Sequence, residues 1–181
     1  MNPTIQRYFT DLESLDKQAQ YEAYQHLIEV TRHEVDWAYE VWDELKGDLT
    51  NKDAHKRSRA AQFLSHLAIS DPERRIIDDF PKVWTVTKDP KFVTARHSLQ
   101  SIWRIALAGP ERKELVMTHL VDRFKGCLDE KNYTLIRFDI QQNFRHLYDQ
   151  LGDEELKHIA LELIEIVEEA KYQKKYKTVW K

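Results

Sequence analysis

The sequence predicts an all-α fold, and three observations point there. Apolar residues recur at three- and four-residue spacing along most of the chain, the mark of helices with one dry face. Only four glycines occur in 181 residues, far below the ~7% of an average domain and too few for the turns of a sandwich or barrel. A short polar pattern also returns at two-helix intervals. Arg96-x3-Gln100-x3-Arg104 recurs 41 residues later as Arg137-x3-Gln141-x3-Arg145, and stands 38 residues earlier as Ser58-x3-Gln62-x3-His66. A weaker copy, Tyr21-x3-Gln25-x3-Glu29, precedes that by 37. A period of this length with two helices per unit predicts a helical solenoid of about four helix pairs, in which stacked neighbours bury the face that one pair leaves wet.

The elements follow in order. Residues 3–12 put Ile5, Phe9 and Leu12 on one side, so residues 1–13 are read as an N-terminal cap. The next stretches run near 14–32 and through Val35, Ala38, Trp42 and Leu45; then near 52–69 and through Ile76, Phe80 and Val83. They continue near 90–108, through Val116, Leu120 and Phe124, near 133–150, and through Leu156, Ile159, Leu163, Ile166 and Ala170. Asp71-Pro72, Asp89-Pro90 and Gly109-Pro110 each set a capping residue before a proline, which belongs at the first helical position. Gly152-Asp153 closes one helix and caps the next. Residues 14–170 thus form the repeats of a single domain spanning 1–181, and residues 171–181, with five lysines and no acid, form a basic C-terminal tail.

Composition narrows the class. Hydrophobic residues make up 41% and charged residues 33%, which suits amphipathic helices and argues against wholesale disorder. One cysteine excludes an internal disulfide framework and a Cys-rich zinc site. No apolar run approaches the ~20 residues of a membrane span, and no basic segment followed by an apolar one opens the chain. The expectation is a cytoplasmic protein that does not engage membranes.

Particular residues resemble the HEAT and armadillo-like helical repeats. Asp53 followed by Arg57, Asp89 followed by Arg96, and more loosely Asp129 followed by Arg137 look like the HEAT turn, an aspartate and then an arginine entering the second helix. Pro81 falls where the first HEAT helix commonly carries a kinking proline. The resemblance implies a right-handed α-α superhelix, with the second helix of each pair lining the concave side. It implies little about activity, since such solenoids serve unrelated purposes.

With helices sorted this way, the charge separates. Residues 52–66, 89–108 and 131–149 carry net charges of +3, +2 and +1, whereas 33–48, 71–88, 110–130 and 152–170 carry −5, 0, −1 and −6. Positions four apart advance only ~40° on an α-helix, so each polar triplet forms a narrow stripe. The candidate binding residues are therefore Ser58, Gln62, His66, Arg96, Gln100, Arg104, Arg137, Gln141 and Arg145. Guanidinium groups in such a row would hold carboxylates or phosphates. The expected partner is an acidic protein segment or a nucleic-acid backbone, bound without catalysis. The same arginines can instead tie neighbouring repeats together, a role that suits Arg96 and Arg137, near the turns, better than Arg104 and Arg145.

Catalytic and metal signatures are sparse. Eight histidines give no His-x3-His pair, and His33-Glu34 lacks the second ligand of a zincin motif because position 37 is tryptophan. No metal, cofactor or catalytic residue is assigned. Cys127 reads as a small buried residue. An alternative is a DNA glycosylase of the helical-repeat type, for which Asp139 would be the candidate carboxylate, although it lies ~200° from Arg137 on the helical wheel.

Overall fold

A computed structural model describes residues 1–181 and contains only helices: ten α-helices and three short 3-10 segments. These are α1 (Pro3–Asp11), α2 (Lys17–Val30), α3 (Ala38–Asp48), α4 (Ala54–Leu67), α5 (Arg75–Val86), α6 (Phe92–Ser101), α7 (Pro110–Gly126), α8 (Tyr133–Leu151), α9 (Glu154–Glu165) and α10 (Ala170–Lys177). The 3-10 segments cover Ala68–Ser70, Ile102–Ala108 and Thr178–Trp180. None of these helices is long and apolar enough to cross a membrane.

Local chemistry sets the boundaries. Asn2, Asp16, Asp53 and Asp153 each cap the helix that follows by accepting from a backbone N–H of its first turn. Pro110 opens α7 behind Gly109, whose φ of 138° is closed to side-chain-bearing residues. Gly152, at φ 62°, ends α8 in the left-handed conformation. At Asp71-Pro72 and Asp89-Pro90 the helices begin later than the sequence suggests, at Arg75 and Phe92. Asp71 still caps α5 from a turn away, accepting from the backbone N–H of Arg75 at 3.0 Å and of Ile76 at 2.8 Å.

The predicted apolar faces meet in one core that joins residues from Ile5 to Tyr176. Leu64, Ile76, Ile102, Val116, Phe144 and Leu156 are completely buried in it. Helix α4 packs on α6 and α6 on α8, while α3, α5, α7 and α9 attach to this row. Side chains link the second row as well: the Trp42 indole donates to Asp79 at 2.9 Å, and Phe80 meets His119 edge-to-face.

Two stretches depart from the expected helices. The first is 90–108, where α-helix gives way to 3-10 winding at Ile102. The side-chain amide of Asn143 enters the ladder there: its oxygen accepts from Trp103 N–H at 3.0 Å and its nitrogen donates to the Leu99 carbonyl at 2.9 Å. Those are the two groups that an α-helical bond would have joined. Beyond Ser101 the 40° advance per four residues no longer holds, because 3-10 winding brings every third residue into line. The second is the C-terminus. Helix α9 ends at Glu165, Ile166 is exposed, and Ala170 begins a new helix rather than extending the old face. Tyr176 of α10 is fully buried, packed edge-on against Phe124, with its hydroxyl donating to the Thr134 carbonyl at 3.0 Å.

Candidate functional site

The nine stripe residues fall into two groups. Those of the second group are engaged by the protein itself. Arg96 makes a bidentate pair with the completely buried Asp139, at 2.8 and 2.9 Å, and these bonds hold its pKa above the usual arginine value. Asp139 thereby has both oxygens occupied, the second also accepting from Gln100 at 3.2 Å. Arg137 is buried, donates Nε–H to the Phe124 carbonyl at 2.8 Å and lies over the Phe124 ring. Gln141 is completely buried; it donates to the Ala160 carbonyl and accepts from the Trp180 indole at 2.8 Å. Arg145 pairs with Asp149 and also donates to the Val179 carbonyl at 3.2 Å. The C-terminal segment, read from sequence as a tail, is what occupies Gln141 and Arg145.

Ser58, Gln62, His66 and Arg104, all buried, and the half-buried Gln100 instead line two surface pockets bordered by α2, α4, α6 and the Ile102–Ala108 segment. Ser58 and Gln62 hydrogen-bond each other at 3.1 Å, Gln62 accepts from the Tyr24 hydroxyl, and both border one surface pocket. His66, Gln100 and Arg104 border a neighbouring pocket of about 560 Å³, which also takes in Glu29, Arg32, His33, Trp103, His146 and Gln150.

Arg104 dominates that second pocket. It is 9% exposed and faces no carboxylate. One Nη donates to the Arg32 carbonyl at 3.2 Å, beyond the end of α2, where the helix dipole favours a cation. Its guanidinium lies 5.1 Å from the Trp103 ring centre. Its Nε is buried with no hydrogen-bond partner. Burial, and then the neighbouring Arg32 charge, lower its pKa from the ordinary value. His66 responds to the same surroundings: burial, then Arg104 and Arg32, push its pKa down to about 3, while its Nδ1 contacts the Thr31 hydroxyl at 3.2 Å. The acid in the pocket, Glu29, is drawn to Arg32 at 3.1 Å on the exposed rim. On the far wall His146 stacks on Trp103, ring centres 5.1 Å apart and tilted by 29°. The pocket thus brings together a desolvated guanidinium with no paired carboxylate, two further donors and a stacked aromatic pair. No group of three His, Cys, Asp or Glu side chains is placed to hold a metal ion.

Arg32, Trp103 and His146 were not among the residues that the stripe selects. Arg32 did carry a signal. It stands seven residues after Gln25, where the other copies have Ile69, Leu107 and Tyr148. Those three side chains are half-buried, whereas Arg32 is exposed. His146 and Trp103 each neighbour a stripe arginine, and only the change of winding at Ile102 brings them face to face. No protein-family model matches this chain, and no curated protein matches its sequence.

Proposed function

We propose that the protein is a non-catalytic binding module: a right-handed HEAT-like superhelix of about four helix pairs, working in the cytoplasm, whose groove holds an anionic partner at Arg104. The solenoid reading is supported by the succession α4–α6–α8 and by Arg57, which reaches the turn aspartate of the next unit, Asp89, at 2.6 and 3.0 Å. The binding reading rests on one observation, the buried Arg104 with an unpartnered Nε. A buried charge is costly unless paired, and a bound carboxylate or phosphate would supply the missing counter-charge, accepting from the free Nη. Of the other cations, Lys56 and Arg59 both engage Glu13 and Arg32 pairs with Glu29, leaving Lys17 exposed at the far edge. The groove therefore grips at one point rather than along a row.

The test is Arg104→Gln, with fluorescence anisotropy against an acidic peptide and against single- and double-stranded DNA at several salt concentrations. The expected result is loss of anion binding of roughly tenfold or more, the worth of a charge-assisted hydrogen bond, with the melting temperature nearly unchanged. A variant that binds every anion as the parent does removes the proposal. A variant that melts far below the parent makes Arg104 a structural residue.

A further inference from the structure

The geometry points to a specific ligand for this pocket: we infer that it receives a single phosphomonoester carried on a planar ring, a nucleoside monophosphate. The inference rests on the reading of the Arg104 pocket as an anion site and goes further by naming what the anion is attached to.

Three features separate this ligand from others. The first is the number of charges. Arg104 inside and Arg32 at the rim approach one space, while Glu29 stands beside them. A polyanionic strand passing this point would meet that carboxylate and few other free cations. A ligand with one anionic group and a neutral hydroxyl-bearing body would instead find Glu29 a hydrogen-bond acceptor. The second is donor direction. Arg104 offers a free Nη, Arg32 a second guanidinium beside Glu29, and Gln100 the second N–H of an amide that already donates to Asp139 at 3.2 Å. Donors converging from several sides suit a tetrahedral phosphate with three terminal oxygens better than a planar carboxylate, which one guanidinium satisfies alone. The third is the wall. His146 is exposed and already stacks by one face on Trp103. A base laid on its other face extends that stack, a contact open to every nucleobase because each has a π-face. The volume, about 560 Å³, lies within the range of small-molecule sites.

Isothermal titration calorimetry of the full chain with adenosine 5′-monophosphate, adenosine, inorganic phosphate and a short DNA strand with and without a 5′-phosphate tests the assignment. The monophosphate binds at one site per chain. Adenosine binds at least about tenfold more weakly, for want of the charged hydrogen bonds, and inorganic phosphate about tenfold more weakly for want of the stack. Arg104→Gln abolishes the phosphate-dependent part, and His146→Ala the ring-dependent part, in proteins whose melting curves show them folded. A 5′-phosphorylated strand that binds like the mononucleotide, with the 5′-hydroxyl strand silent, places the same chemistry at a strand end. Adenosine binding equal to the monophosphate overturns the inference, as does a monophosphate affinity untouched by Arg104→Gln. If no mononucleotide binds at millimolar concentration but an acidic peptide or DNA is lost with Arg104→Gln, the ligand assignment fails while the anion-binding reading stands. If nothing binds, both fail.

Discussion

The two halves of the stripe place the same residue types in opposite circumstances. Around α8, Arg137, Gln141 and Arg145 are met by backbone carbonyls of Phe124, Ala160 and Val179 and by the Trp180 indole. Around the Ile102–Ala108 segment, Arg104 is buried like Arg137 but meets only the Arg32 carbonyl and the Trp103 ring, and its Nε meets nothing. An arginine and a glutamine at a repeated position therefore do not have a fixed role. The role depends on whether the chain brings its own acceptor. At the C-terminal end it does, by folding α10 and Trp180 over the last unit. In the middle it does not, and the Arg104 guanidinium keeps no carboxylate partner.

The largest effect is expected at Asn143, whose amide makes the middle region what it is. Asn143→Ala leaves the Trp103 N–H and the Leu99 carbonyl without partners in a buried place. Each orphaned group costs about 1–3 kcal/mol, so a loss of roughly 3 kcal/mol and a fall in melting temperature of about 10 °C are expected for a chain of this size. Thermal melting by circular dichroism reads this directly. Anion binding falls with it, because the 3-10 winding that presents Trp103 and Arg104 is lost. A variant that melts like the parent would show that the ladder closes without help, and the contrast between the halves would need another cause.

A smaller change sharpens the comparison from the other side. Trp180→Ala removes the partner of Gln141 Oε1 and the ring beside Arg145. The cost is about 1–3 kcal/mol if the glutamine stays dry. Uncovering Arg145 also turns the closed region into a copy of the open one. A second, weaker anion site is expected in calorimetry of this variant, and it vanishes on adding Arg145→Gln. Unchanged stoichiometry would mean that Asp149 alone, at 2.8 Å, is counter-charge enough.

How far the sequence made this legible follows from the same residues. The helices were readable because burial enforces the 3.6-residue spacing, and Ile76, Phe80, Val83, Val116, Leu120 and Phe124 all lie where it puts them, fully buried. The spacing that selected Ser58, Gln62, His66, Gln100 and Arg104 places them along the walls of two surface pockets. Two things were not legible. Asn143 breaks a helix forty residues away in sequence, through a side chain that no local pattern announces, so the wheel could not follow the chain past Ser101. The burial of Tyr176 and the reach of Trp180 depend on a surface that exists only once α7 and α8 are packed. A lysine-rich segment with three aromatics carries the same composition whether it is solvated or docked.

The least costly way to compare the regions uses pH. His66 sits against Thr31 with Arg104 and Arg32 as the cations facing it, His33, His146 and Glu29 being the other titratable groups around the pocket. Burial, then those two cations, bring its pKa from 6.5 to about 3. The depressed value belongs to a base, so the folded protein keeps His66 neutral while the unfolded chain takes up a proton near pH 6.5. Between about pH 6.5 and 3 the unfolded state binds more protons, and stability falls as pH falls, by at most ~1.4 kcal/mol per unit from this one group. His66→Asn keeps a nitrogen toward Thr31 and removes the titration, so its acid limb is expected to be shallower than the parent's in urea melts from pH 7 to 4. Equal limbs would assign the acid sensitivity to other groups, His146 among them, whose pKa burial also lowers. A phosphate bound at Arg104 cancels part of the field that holds His66 neutral. The parent's limb, and not that of His66→Asn, is therefore expected to flatten when the pocket is occupied.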